Sequence, residues 1–261
     1  MRLDLLLVRR GLCSGRERAK EEIRAGRVLV DGTPETRPSR DVAEDVPIRL
    51  SGDALRYVSR GGLKLEKALQ AFGVSPEGKI CLDCGASTGG FTDCLLQNGA
   101  SRVYALDVGS GQLAEKLRSD PRVFSMENFN VRELQPEDLP EAPELAVIDV
   151  SFISLRLILP AVARVLTPGG EVICLIKPQF EAGKAHVGKK GVVRDETVHR
   201  QVLEGLFLFF PTLELYPAGL SWSPIRGPEG NIEYLCHLRR QPVSVQPDPR
   251  RVAEEAHNAL K

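Results

Sequence analysis

The chain has little of what would place it outside a reducing, aqueous compartment. Its 261 residues include six scattered cysteines, too few for a disulfide scaffold. No apolar run approaches the roughly 20 residues of a membrane span; Leu206–Phe210 is about the longest purely hydrophobic stretch. The opening Met1–Arg10 has an acid at Asp4 and only four consecutive apolar residues. It lacks the apolar segment of about 7–15 residues and the small-residue cleavage site of a signal peptide. Charge of one sign is not in excess, with 35 Lys+Arg against 35 Asp+Glu. What is present, 42% hydrophobic and 27% charged residues, is the composition of a globular protein. The length suits one large domain, or a large one with a small one. The expectation is a cytoplasmic protein without membrane partners.

The balanced total hides an uneven distribution. Residues 1–70 carry 15 basic and 11 acidic side chains, and the remainder 20 and 24. A basic front suits nucleic-acid contact, and on charge alone an ordinary solvated helix face serves equally well. Leu3, Leu6 and Leu7 predict a short helix over 3–10, stopped at Gly11. Ser14-Gly15-Arg16-Glu17 is a capping box that would open a second helix to about Ala25, ended by Gly26. Arg16, Lys20, Arg24 and Arg27 recur every three or four residues, so their stems line one face. Val28-Leu29-Val30 followed by Asp31-Gly32 predicts a hairpin. The pattern Arg2-Leu3-Asp4, Ser14-x-Arg16-x-x-Ala19, Ile23-x-x-Gly26-x-Val28-x-Val30-Asp31-Gly32 resembles the ribosomal-protein-S4-like RNA-binding module over residues 1 to about 50. That resemblance favours RNA contact, with Arg9, Arg10, Arg16, Lys20, Arg24 and Arg60 as candidate RNA-binding residues. The small domain is assigned to 1–56 and an interdomain linker with a glycine hinge to 57–62.

From Lys79 short β-rich runs alternate with helical stretches: Ile80–Cys84, Val103–Val108, Val123–Met126, Leu145–Val150 and Val172–Ile176. This is the signature of a doubly wound parallel sheet. A helix over 197–210 then precedes two strands, Leu213–Leu220 and Ile232–Leu238, joined by a short polar loop and therefore antiparallel. The fold class is α/β, a Rossmann-like, mostly parallel methyltransferase sheet closing in an antiparallel hairpin, behind a small α+β domain. It is assigned to 63–242, with a C-terminal tail over 243–261 that ends in a helix from Arg250 to Leu260.

Asp83-Cys84-Gly85-Ala86-Ser87-Thr88-Gly89-Gly90-Phe91 lies between the first strand of this domain and a helix, where such sheets bind ligands. Asp107 ends the next strand, 22 residues after Gly85, and could accept both hydroxyls of an adenosine ribose. Asp83 would repel a pyrophosphate but suits the amino group of S-adenosylmethionine, which favours that cofactor over NAD. The bland readings are a helix cap for Asp83 and a strand-end turn for Asp107. Cys81-x-x-Cys84 matches half a zinc or redox motif, but positions three apart on a strand face opposite ways. With no second such pair and no matching histidine spacing, both cysteines are assigned to the core and no metal is expected.

Charged residues also stand where an apolar core would not want them: Asp149 and Lys177 at strand ends, Glu233 at the start of the last strand, and Lys64 ahead of the sheet. Each alone reads as a surface ion pair. Together they are two acids and two amines able to meet over one sheet edge. A sugar 2′-hydroxyl must be aligned with the methyl group and stripped of its proton. Lys177 is assigned as base or oxyanion partner, Asp149 as its orienting group, and Lys64 and Glu233 as ribose-positioning groups. The order Lys64–Asp149–Lys177–Glu233 resembles the catalytic tetrad of FtsJ-type ribose 2′-O-methyltransferases. With Ser59-Arg60-Gly61-Gly62-x-Lys64-Leu65, the 83–93 loop and Asp149-Val150-Ser151-Phe152-Ile153-Ser154-Leu155, residues 2 to about 240 resemble the TlyA family, also called haemolysin A. The resemblance implies methylation of a cytidine ribose in ribosomal RNA, in the large (23S) subunit and in some members the small subunit too. It further implies Asn130 near the adenine, with Ser87 and Phe91 along the cofactor pocket beside Thr88, Gly89 and Gly90. The RNA-binding pattern begins almost at Met1, as in the shorter subtype that acts on the large subunit only. A pore-forming reading finds no membrane span, signal peptide, strongly amphipathic basic helix or barrel-length alternating strands. An inactive RNA-binding protein is opposed by the intact tetrad.

Overall fold

The structure, a computed structural model, describes residues 1–13, 15–24, 26–50 and 56–260. The chain divides between Arg60 and Gly61 into two compact units.

In the first unit, α1 (Leu3–Arg9) and α2 (Arg16–Arg24) pack on a small sheet of β1 (Val28–Val30), β2 (Thr33–Glu35) and β3 (Ile48–Leu50), ordered β2-β1-β3 and antiparallel throughout. The hairpin turns where expected, with Asp31 and Gly32 at φ 51° and 76°, the left-handed pair that a two-residue hairpin requires. Leu3, Leu7, Ala19, Ile23, Val28 and Val30 form its core. The Ser14 cap lies outside the described residues. Residues 57–62, expected as a linker, are held on both sides of the division. Arg18 donates to the carbonyls of Tyr57 (3.2 Å) and Val58 (2.9 Å), and Gly61 and Gly62 already lie in α3 (Gly61–Phe72).

The second unit is a seven-stranded sheet ordered β6-β5-β4-β7-β8-β10-β9. Its strands are β4 (Ile80–Cys84), β5 (Arg102–Leu106), β6 (Val123–Met126), β7 (Leu145–Ile148), β8 (Glu171–Ile176), β9 (Tyr216–Trp222) and β10 (Tyr234–Arg239). The first five are parallel; β10 runs antiparallel to both β8 and β9. The penultimate strand begins at Tyr216 rather than Leu213, because a 3-10 turn with Pro211 extends the preceding helix and Glu214 then takes φ 55°. The helices are α4 (Gly90–Gln97), α5 (Glu115–Arg118), α6 (Leu155–Val165), α7 (Pro178–Glu181), α8 (Glu196–Phe209) and α9 (Pro249–Ala259). One sheet face, including Leu82, Cys84, Ile148 and Cys174, buries against α6, α8 and α9. The segment assigned as a tail therefore ends in a core helix, with Val252, Ala253 and Ala256 packed in. Towards the other face lie α3 and α4, where Thr92 meets Asp83 and Phe72 stacks on His237. Cys81 and Cys84 are both buried.

Asp4 is fully shielded from solvent, with Arg2 and Arg16 hydrogen bonded to it at 3.0 Å. The Arg2 bonds, helped by Arg16 and opposed by burial, hold its carboxyl down at about 2. This contribution is therefore full above about pH 4 and lost as pH falls through about 2. Asp4→Ala should destabilise the first unit by about 1–3 kcal/mol at neutral pH, read as faster amide hydrogen exchange over 3–30 with exchange in the second unit unchanged.

Candidate active site

The sheet order reverses at β4, whose neighbours are β5 and β7, so a crevice opens at their carboxyl ends. There the chain leaves β4 through Gly85 at φ 86°. The amides of Gly85 and Ala86 donate to the Leu106 carbonyl at 2.8 and 3.0 Å. Asp107 braces the loop: Ser87 N–H donates to Oδ2 and Gly109 N–H to Oδ1, each at 2.7 Å. A Cβ on Gly85 would stand 2.8 Å from the Asp149 carbonyl oxygen. One on Gly89, at φ 95°, would strike Leu117 and Leu113. Gly85 is thus required by close backbone approach as well as by φ, and Gly89 by φ. Asp83, fully buried below the loop, accepts from the Thr92 hydroxyl at 2.6 Å through Oδ2. Its Oδ1 has no partner among the described residues. Burial, with the nearby Asp149 carboxylate adding to it, pushes this carboxyl up to about 7.

Beside the loop, the four charged residues read from the sequence converge. Lys64 Nζ donates to Glu233 Oε2 at 2.6 Å and lies 3.9 Å from Asp149 Oδ2. Lys177 Nζ sits 2.6 Å from Asp149 Oδ1 and donates to the Ser151 hydroxyl at 3.0 Å. Glu233 is fully buried, and the lysines are nearly so. Burial works to raise the Asp149 carboxyl, but Lys64 and Lys177 outweigh it and hold it below the usual carboxylate range. The result is an unbroken series, Glu233–Lys64–Asp149–Lys177, in which every charge has an opposite neighbour. Gly227 lies so close to Glu233 Oε1 that any side chain there would displace the carboxylate.

Comparison with known proteins agrees with this geometry. An FtsJ-like methyltransferase model matches residues 57–240, and an S4 domain model matches residues 1–47. YqxC of Bacillus subtilis is 52% identical over 100% of this chain and 95% of its own. The 16S/23S rRNA (cytidine-2′-O)-methyltransferase TlyA of Mycobacterium tuberculosis is 44% identical over 92% of this chain and 90% of its own. The solved structure of a haemolysin-named protein of Streptococcus thermophilus is 47% identical with a TM-score of 0.81, covering 99% of this chain and 96% of that one. The chain belongs to the TlyA family of FtsJ-like methyltransferases.

Other site residues expected of a TlyA-family chain are disposed less simply. Ser87 is exposed on the loop at φ 48°, with its hydroxyl 3.2 Å from Gln112 Oε1. The carbonyl of Thr88 accepts from Ala114, while Gly90 and Phe91 open α4, where Phe91 is buried. Asn130 caps a 3-10 turn: its Oδ1 accepts from Arg132 N–H and its Nδ2 donates to Glu133. In the first unit, the expected stripe of free cations is largely engaged. Arg16 holds Asp4, Lys20 pairs with Glu17, and Arg9 meets Glu44 at 3.0 Å. Arg10 donates to the carbonyls of Val46 and Glu44. Arg60 faces Glu21, whose carboxyl burial pushes up and Arg60 pulls back. Arg24 is exposed and has no partner among the described residues. Sequence reasoning missed Ser151, Thr92 and Gly227. It also gave no role to Phe152, which is 91% exposed beside Ser151, at φ 65° and 5.2 Å from the Phe180 ring. Among the described residues no group of three or more His, Cys, Asp or Glu could hold a metal ion.

Gly85→Ala should cost about 1–3 kcal/mol through its φ alone and more through displacement of the Asp149 backbone. The expected result is a lower melting temperature together with loss of methyl transfer. Ala86→Gly, which adds no atom, should keep both within a small margin.

Proposed function

We propose that this chain transfers a methyl group from S-adenosylmethionine to the 2′-hydroxyl of a cytidine ribose in ribosomal RNA of the large subunit. The observation that carries the reading is the Glu233–Lys64–Asp149–Lys177 series at the same sheet edge as the glycine loop. The name and 44% identity of the mycobacterial relative support ribosomal RNA and cytidine as the target. The S4 domain supports RNA as the partner class. The reaction belongs in the cytoplasm, where six free, buried thiols are at home.

The residues fit the cofactor on two counts. Asp83 has a buried oxygen without a partner among the described residues, suited to a cationic amino group. Asp107 already orders Ser87 and Gly109 and keeps acceptor capacity for ribose hydroxyls. When bound, the sulfonium supplies an activated methyl group and the thermodynamic drive. The chain supplies orientation and proton management. Asp149 and Ser151 fix the Lys177 amine from two directions, leaving its remaining valence for the ribose oxygen. Once the Lys177 ammonium has released a proton to solvent, its amine accepts the 2′-hydroxyl proton as the methyl group reaches the oxygen, which restores the ammonium that Asp149 pairs with. Lys64, anchored by Glu233, keeps Asp149 ionised throughout that change. Phe152 offers a nucleobase an exposed stacking face next to this centre.

Labelled methyl transfer to undermethylated large and small subunits tests the function. Ribose methylation should appear on the large subunit and fall by about 10²–10⁴-fold in Lys177→Ala. Lys177→Arg, which donates but cannot accept, should be as inactive. Full activity in either variant would refute the base role, and no transfer to the large subunit would refute the substrate. Cofactor affinity gives an independent check. Because the Asp83 pKa is raised, ionising it costs the unliganded fold stability as pH climbs from about 4 to about 7. A cationic ligand favours the ionised form, so affinity for S-adenosylmethionine should rise over that range and level off above it. Calorimetry at pH 6 should show proton release on binding, and Asp83→Asn should abolish both the slope and the release.

A further inference from the structure

The segment between α7 and α8, residues 183–195, carries Lys184, Lys189, Lys190 and Arg194, all exposed and without a partner among the described residues. Its one acid, Asp195, is committed to capping α8 through the Thr197 N–H at 2.8 Å. His186, Lys189, Lys190 and Arg194 line a concavity of about 350 Å³, with Asp195 at its wall. Four uncompensated cations on one short loop are unusual in this chain, whose total charge is balanced. Such a loop would ordinarily be loose. This one is not. Gly188 N–H donates to the Val192 carbonyl at 3.0 Å and Gly191 N–H to the Gly188 carbonyl at 2.8 Å, closing the tip. The base is pinned by buried side chains from elsewhere. Asn231 accepts from Val193 N–H at 3.2 Å and donates to the Gly191 carbonyl at 2.9 Å. His199, also buried, bonds the Val193 carbonyl through Nε2 at 3.0 Å and the Tyr234 hydroxyl through Nδ1 at 2.8 Å.

The placement of these pins is informative. Asn231 and Tyr234 flank Glu233, and the loop follows the short α7, which begins at the residue after Lys177. The cations are therefore tied to the two chain segments that carry the catalytic amine and the buried carboxylate. A surface that needed only solubility would not require a buried two-way amide clamp under it.

We propose that this loop is a phosphate-gripping arm of the active site, with Lys189, Lys190 and Arg194 binding the RNA backbone beside the target nucleotide and Asn231 acting as its positioning residue. The proposal rests on the RNA-methyltransferase reading above. Phosphate contacts fix register without reading sequence, and each releases counterions. A rigid seat converts that non-specific grip into alignment of one ribose with Lys177.

The test compares wild type with Lys189→Gln/Lys190→Gln and with Asn231→Asp. Asn231→Asp keeps the accepting oxygen but turns the donor facing the Gly191 carbonyl into a second acceptor. Binding to the large subunit and to its deproteinised RNA is measured over a salt series, alongside S-adenosylmethionine affinity and steady-state kinetics. In the double lysine variant, RNA affinity should fall at least several-fold and the log–log salt slope should shrink by about 1–2. KM for RNA should rise more than kcat falls, while S-adenosylmethionine affinity holds. In Asn231→Asp the same cations remain, so the salt slope should persist while kcat/KM falls. An unchanged salt slope and affinity in the lysine variant would overturn the proposal even if wild type methylates RNA. Loss of binding to the subunit but not to its bare RNA would overturn it in favour of a protein contact. Wild type that binds RNA with the predicted slope but transfers no methyl would remove the functional reading and leave the phosphate grip standing.

Discussion

Asp149 is shared by two lysines, and much of the second unit follows from that sharing. A carboxylate in a largely enclosed site needs a close counter-charge, and so does each ammonium. The series Glu233–Lys64–Asp149–Lys177 satisfies all four only if α3, β7, β8 and β10 present their ends at one edge of the sheet. Parallel pairing does half of this: Cys84 opposite Ile148 brings Gly85 against Asp149, and Ile148 opposite Cys174 brings Asp149 towards Lys177. The antiparallel strand does the rest. With Tyr234 opposite Ile176, the start of β10 lies beside the end of β8, which seats Glu233 at the same edge as Lys177. A parallel last strand would carry its first residue to the opposite edge.

The same edge explains the glycines of the loop. Gly85 is pressed on the Asp149 carbonyl and Gly89 on Leu113 and Leu117. The glycine loop and the ion series therefore share a backbone contact. Asp83 sits beneath both, its ionisation opposed by burial and by Asp149 together.

Much of this was legible in the sequence because the two kinds of signal are local. Alternating apolar runs located six of the seven strands of the large sheet to within two residues, charges at the ends of apolar runs named Asp149, Lys177 and Glu233, and Lys64 came from its place just ahead of the sheet. Reading failed where the outcome depends on distant neighbours. Two glycines read as a hinge, yet Gly61 and Gly62 lie in α3, with Gly62 buried. Leu213 read as strand until Pro211 and the left-handed Glu214 are seen to extend the helix end. Phe152 carries no sequence mark of its exposure or its φ. Asn231 and His199 are invisible as a pair because their shared partner, the backbone around Val193, is contiguous with neither.

The arginines of the first unit make the most general point. Periodicity placed Arg16, Lys20 and Arg24 correctly on one helix, but periodicity is blind to what each side chain meets across the chain. Asp4, Glu22 and Glu35 are buried, and each draws two arginines to itself. Those cations are committed to holding the small unit together, since leaving a buried carboxylate without them costs more than an exposed pair returns. In the second unit the cations around residues 184–194 have the reverse history: their loop is held by neutral groups, an amide and an imidazole, so their charge stays unspent. A balanced protein can in this way grip a polyanion. What matters is which cations the fold has already neutralised.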